Sequence, residues 1–250
     1  MTARLKQIRH HPIKRLRAER LKRARLQAAA PLSGDPARRG LRHAGSAATG
    51  DWQPRRNFVV FVVVSCRPQL TRGTAQTRAD ARRLMVQHHD GTDLTVDPAQ
   101  DGPAVVDRVW PLWPTQHWKP VELVHAPPCG MADNGLGQVS VMNLPSLRVL
   151  PDRIGQMPGA RRFRGNLWVA DRAPWEESDL NGKTVTISDS QPETPGRIDH
   201  YHATGANPDT GLRDVEPRRA LMQVCDQNDF GVYATLCQGG RIAVGDAVTV

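Results

Sequence analysis

Asp199-His200-Tyr201-His202 lies in the stretch RIDHYHATGANPDTGLRD, residues 197–214. Imidazoles change charge near neutral pH and bind divalent metals. If the segment is a strand, His200 and His202 project to one face and Tyr201 to the other. Asp199 stands where a carboxylate could orient one imidazole. His200 and His202 are therefore candidate metal ligands, although the sequence names no third partner for an H-x-H pair, and Tyr201 lies between them. On these residues alone a metal site, an acid–base site and a site without chemistry all stay open. Asn207-Pro208-Asp209-Thr210-Gly211, just downstream, reads as turn chemistry.

Cysteine offers little else. Cys66, Cys129, Cys225 and Cys237 form no C-x-x-C pair, which argues against a zinc or thioredoxin-like site. Cys66 and Cys237 sit in apolar or strand-like contexts and are expected in the core. Free thiols imply a reduced, cytoplasmic setting. No apolar signal core follows the basic start, and the longest apolar run, FVVFVVV at 58–64, is far short of the roughly 18 residues of a membrane span. It fits a buried strand.

The net charge of +9 is concentrated at the start. Residues 1–42 hold thirteen Lys and Arg against only Glu19 and Asp35, so the rest of the chain is slightly acidic. Three readings compete: a nucleic-acid-binding arm, an organelle presequence, or a positive wall around an anionic, phosphate-bearing ligand. The segment lacks stacking aromatics, which weighs against nucleic acid as a partner.

The elements that must position these groups are mostly strands. With 250 residues, 20 Pro and 21 Gly, the chain suggests one large or two small turn-rich domains. Residues 3–27 read as short strands around an HPIK turn or as two helical pieces. Residues 28–57 read as loop, and 67–120 give no clear pattern. VELVHA (121–126) is a strand. VSVMNLPSLRVL (139–150) starts as a strand and turns helical from Pro145. RRFRGNLWVA (161–170) reads as a strand, which would put Arg162, Arg164 and Asn166 on one face. APWEESDLNGKTVTIS (173–188) reads as a loop, an Asn181-Gly182 turn and the strand KTVTIS. Residues 214–227 read as a helix, and 229–250 as three strands joined by Gly-Gly and Gly-Asp turns. The expected fold is mainly β with short helices, an antiparallel barrel.

RRFRGNLWVA, PWEESDLNGKTVTIS, ATGANPDTGLRD and FGVYATLCQGGRIAVGDAVTV together resemble the MOSC domain of molybdenum-cofactor sulfurases and related proteins. LKQIRHHPIKRLRAERLKRARL (5–26) resembles the β-barrel region that precedes it in many members. The implied division is an N-terminal β-barrel-like region at 1–115 and a MOSC domain at 116–250. The resemblance implies a molybdenum cofactor (molybdopterin), sulfurtransferase or oxidoreductase chemistry, and a possible redox or sulfur-donor protein as partner. No residue supports pyridoxal phosphate. A non-catalytic module that holds an anionic ligand is the alternative, and binding of nucleic acid through the basic start is a third.

By this resemblance Lys14, Ser140, Asn143, Arg162, Arg164, Asn166 and Thr204 are cofactor contacts. Arg supplies a planar fork for phosphate and Asn an amide for a pterin edge. Ser140 and Asn143 serve equally well as strand-end caps. The family's Arg-Cys step falls on His200-Tyr201. Tyr201 therefore stands at the catalytic position where a thiolate would ligate molybdenum or carry sulfur. A phenol has no sulfur to transfer. Arg15 replaces the usual Ser after the family lysine, and Pro36 replaces a cofactor-facing arginine.

Overall fold

The computed structural model describes residues 2–11, 18–28, 30, 32, 39–43, 74–77, 84–87, 92–97, 100–112, 120–125, 136–150, 158–225 and 228–250. Lys14, Arg15, Pro36, Cys66, Cys129 and the 58–64 run lie outside them. In chain order the strands are β1 (Ala3–His10), β2 (Glu19–Leu21), β3 (Arg23–Leu26), β4 (Arg39–His43), β5 (Thr74–Thr77), β6 (Leu84–Gln87) and β7 (Asp93–Val96). Helix α1 (Gly102–Val109) follows, then β8 (Pro120–His125), β9 (Gln138–Asn143), α2 (Leu144–Val149), β10 (Leu167–Ala170), β11 (Thr186–Ile187) and β12 (Gln191–Asp199). Helix α3 (Pro217–Cys225) precedes β13 (Asp229–Gln238), β14 (Gly240–Ala243) and β15 (Ala247–Thr249).

The main sheet runs β11-β15-β1-β10-β9-β13-β12, with β2 also on β1. The first strand of the chain thus sits between two C-terminal strands, and β3 pairs with β14. Strands β1, β2 and β3 and the strands of the C-terminal half build their sheets together. The fold is mainly β with short helices, as the sequence suggests. One pairing departs from the antiparallel expectation: β9 and β10 run parallel, Val141 beside Leu167. The connection between them carries α2, and a parallel pair needs a crossover of this kind. No helix among the described residues is long and apolar enough to cross a membrane.

Two cores share the central strands. Leu5, Ile8, Val139, Val141, Leu167, Val169, Val232 and Ala234 lie in the first. Met142, Trp168, Phe163, Ile198, Leu221 and Phe230 lie in the second. Alternate residues of β9 and β10 therefore serve opposite faces, and both faces are covered. This explains why LWVA is apolar at every position. On β13, however, Phe230 and Val232 have the same parity yet enter different cores. Gly231 makes the change: its φ is +85, and three steps on β13 face two on β12, with Val232 opposite Arg197 and Asp229 opposite Asp199. This is a bulge, and it turns Phe230 toward the candidate site.

Three local expectations need correction. Residues 160–163 form a 3-10 helix, not a strand, and Arg164 takes a left-handed φ of 57. The strand begins only at Leu167, so Arg162, Arg164 and Asn166 do not share a strand face. The stretch 28–57 is not all loop, because β4 pairs with β8. Cys237 is exposed rather than in the core. The helix at 217–225, the helical turn after Asn143 and the three strands of 229–249 are as expected, and of the two readings open for residues 3–27 the described residues show the strands β1, β2 and β3.

Gly231→Ala tests the bulge. An added Cβ would lie 2.7 Å from Val141 O and 2.8 Å from Met142 Cγ, in a backbone region unfavourable to alanine. A loss of roughly 2–4 kcal/mol in denaturant stability is expected. An unchanged midpoint would contradict this account of the bulge.

Candidate functional site

The candidate residues on and near β9, β10 and β12 fall into several hydrogen-bonded clusters. Asn166 sits at the entry to β10 and faces two neighbours. Its Oδ1 accepts from Ser140 N at 3.1 Å and from Ser140 Oγ at 3.0 Å. Its backbone N–H donates to Ser140 Oγ at 2.8 Å, and its Nδ2 donates to Arg9 O at 3.1 Å. Arg9 N–H returns a bond to Asn166 O at 2.7 Å. One side chain thus clips β1, β9 and β10 together. The amide oxygen is saturated, and a single Nδ2 hydrogen is left for a ligand.

Arg162 is also committed. It is buried, its Nη1 donates to Gly205 O at 3.1 Å, and its Nη2 pairs with Asp214 at 2.6 Å. It ties the short 3-10 helix at 160–163 to the loop after Tyr201. Arg161 pairs with Asp209 of the same loop. Arg164 is half-buried and takes a left-handed backbone conformation, so it lies on no strand face with Arg162. Thr204 Oγ1 donates to Tyr201 O at 3.1 Å, which closes the first turn of the 3-10 helix His202–Gly205.

Asn143 caps no helix but belongs to a buried triad. Its Nδ2 donates to Ser146 Oγ at 3.1 Å and to Ala173 O at 2.9 Å. Ser146 Oγ donates to Glu177 Oε2 at 2.6 Å and accepts from Trp175 N at 2.8 Å. Glu177 is fully buried. Burial pushes its carboxyl above the usual range, against the pull of the bond from Ser146. The triad holds Trp175, which packs edge-on to Phe230 with centroids 6.1 Å apart. Sequence reading placed Glu177 in an acidic loop and missed its partners. Its signal was Ser146 and Glu177 lying far apart in sequence, which no local pattern joins.

His200 and His202 do not converge. β12 ends at Asp199, and His202 opens a 3-10 helix, so the shared-face geometry of a strand is lost. His200 is buried against Phe163 and Phe230, with centroids 5.1 and 6.0 Å away. Its Nε2 lies 2.8 Å from Phe230 O; a carbonyl only accepts, so this nitrogen carries the proton. The Phe230 carbonyl, rather than Asp199, orients the ring. Burial holds the imidazole down to about 4. His202 is exposed, and its carbonyl accepts from Arg213 Nη1. Tyr201, between them, is 47% exposed. Among the described residues no group of three or more His, Cys, Asp or Glu is arranged to hold a metal ion.

A cleft of about 470 Å³ lies beside this loop, lined by Arg213, Asp214, Glu216, Arg219 and Gln223 among others. The turn at 207–211 forms as the sequence suggests: Asn207 Oδ1 accepts from Asp209 N at 2.9 Å, and Gly211 has φ +66. Cys237 lies near the far end of β13 from Asp229, roughly 25 Å away at strand spacing.

Residues 133–249 match the family model of the MOSC domain. No curated protein matches the chain in sequence. Among solved structures, the YUAD protein of Bacillus subtilis is 10% identical, over 99% of this chain and 94% of that one, with a TM-score of 0.44. YiiM from Geobacillus stearothermophilus is 14% identical over 44% of this chain, with a TM-score of 0.35. This chain spans about half of YiiM, 52% of its length.

His200 gives the site a pH signature. Its folded value is depressed, so its contribution to stability is complete above about 6.5 and is lost as pH falls toward about 4. Compared with His200→Gln, which keeps a donor for Phe230 O, the natural protein should lose on the order of 3 kcal/mol more between pH 7 and pH 4. Parallel denaturant curves for the two proteins would contradict a buried neutral imidazole.

Proposed function

We propose that this protein, whose residues 133–249 match the MOSC domain family model, is a MOSC module that binds an anionic ligand of the pterin-cofactor class without the family's thiolate step. The family is associated with the molybdenum cofactor, whose chemistry calls for a soft sulfur ligand. The residue types at hand do not fit that half of the cofactor. In the register that the resemblance implies, the thiolate position is Tyr201, half exposed, and the preceding arginine is replaced by His200, buried and neutral. That pair carries the reading: in this register neither residue brings sulfur or positive charge to the metal position. Cys237 is too distant along β13 to substitute.

The anionic half has better support. The resemblance assigns Arg164, Asn166 and Lys14 as donors to phosphate and to a pterin edge, and Asn166 retains one Nδ2 hydrogen for that role. Arg162, Ser140, Asn143 and Thr204 act as positioning groups, because their polar atoms hold the loops and strands around the site. The competing reading, a sulfurtransferase or oxidoreductase with its redox or sulfur-donor partner, needs a nucleophile that this arrangement does not offer at Tyr201. A cytoplasmic setting accords with this reading.

Purification from a host that makes the cofactor separates the two. The proposal expects far less than one molybdenum per chain, no persulfide and no sulfur transfer, with Tyr201→Cys raising the retained molybdenum. Stoichiometric molybdenum together with sulfur-transfer activity in the natural protein would overturn it.

A further inference from the structure

The face of β1 opposite its core side carries a charge that no carboxylate among the described residues balances. Arg9 is 5% exposed. Its Nε and Nη2 both donate to one neutral acceptor, Gln7 Oε1, at 3.0 and 2.7 Å. Three guanidinium hydrogens remain. Among the described residues no carboxylate pairs with it. The neighbouring sequence supplies none either, because residues 1–18 contain no Asp or Glu. Glu19 is engaged elsewhere: it lies 2.7 Å from His10 Nδ1, and alternation along the strands puts that pair on the opposite face from Arg9.

The charges around Arg9 make its position worse. Arg20 stands directly opposite it in the β1–β2 register, so the two side chains share a face and repel. Arg161 is the other nearby charge. Burial, then Arg20, then Arg161 hold Arg9 down to about 10, yet at neutral pH it stays charged. Buried charges are ordinarily paired, and an unpaired one costs several kcal/mol. Arg161 already shares Asp209, and Arg20 is exposed. Arg9 and Arg20 thus face one side, and among the described residues neither has an anion of its own.

We infer that Arg9, Arg20 and Arg161 form a binding site for a multivalent oxyanion, either inorganic phosphate or a phosphate monoester. Two unpaired cations and a third, half-neutralised one match a dianion better than a single carboxylate, which one guanidinium fork would satisfy. The buried Arg9 fork fixes the position, and the exposed Arg20 closes over it. Because Arg9 O accepts from Asn166 Nδ2, the site hangs on the same strand junction as the candidate cofactor contacts. It rests on uncompensated charge, so it stands whether or not a pterin binds.

The test uses the full chain after exhaustive dialysis. Thermal melting is followed against inorganic phosphate and against glycerol 3-phosphate, with sodium chloride holding ionic strength constant. A saturable rise in Tm with at least one of them is expected, and the tighter of the two identifies free phosphate or a monoester as the ligand form. Arg20→Gln should weaken the apparent affinity about tenfold, Arg9→Gln should abolish the response, and Arg23→Gln, an exposed basic residue on β3, should leave it unchanged. If Arg9→Gln does not fold, Arg20→Gln against Arg23→Gln decides. Equal responses to chloride and phosphate, or equal losses in Arg20→Gln and Arg23→Gln, would overturn the site. The readout is phosphate affinity, so its failure is distinct from failure of the cofactor reading, which is read as metal and sulfur content.

Discussion

The rest of the structure depends on the Asn166 amide. β1 comes from the start of the chain, β9 and β10 from its second half, and no local pattern brings the three together. Asn166 does so with bonds to the backbone of Arg9 and to both the backbone and hydroxyl of Ser140. Each bond is modest by itself, but leaving those partners buried and unpaired is expensive. The left-handed turn at Arg164 lets the chain leave the short 3-10 helix at 160–163 and arrive at β10 with Asn166 correctly placed. The parallel pairing of β9 with β10, the seat of Trp168 in the second core and the covered position of Arg9 all follow from that junction.

The same economy governs the site. Arg162 secures the loop after Tyr201 by Gly205 O and Asp214. Asn143 and Ser146 hold Glu177 and, through it, Trp175. His200 packs against Phe163 and Phe230 and donates a hydrogen bond to Phe230 O. Side chains whose types suggest catalysis are largely spent on architecture, which is how a buried polar network becomes rigid. What remains outward-facing mixes Tyr201 and His202 with Arg213, Arg219 and the carboxylates of Asp214 and Glu216, and none of these side chains carries sulfur.

Much of this was legible in the sequence, and the remainder was not for definite reasons. The strands of 229–249 were readable because their Gly-Gly and Gly-Asp turns punctuate alternating apolar runs. Pro145 marked the start of α2. RRFRGNLWVA misled because its alternation imitates a strand, while the left-handed Arg164 and the Asn166 clip are set by distant partners. The H-x-H pair misled in the same way: β12 stops one residue short of it, and the bulge at Gly231 brings Phe230 to cover His200. Strand β4 lay hidden in a Gly- and Arg-rich stretch because its partner, β8, is some eighty residues away. For Arg9 the sequence did hold a signal, the lack of any acid in residues 1–18, but only the fold reveals that this arginine is buried.

The account's central claim is that Asn166 joins strands first and meets ligand second. The direct measurement is the denaturant stability of Asn166→Ala, alone and combined with Ser140→Ala. The account predicts a loss of roughly 2–4 kcal/mol for Asn166→Ala, with Ser140→Ala adding little on top because the two act as one unit. Natural stability in Asn166→Ala, accompanied only by weaker ligand binding, would contradict it.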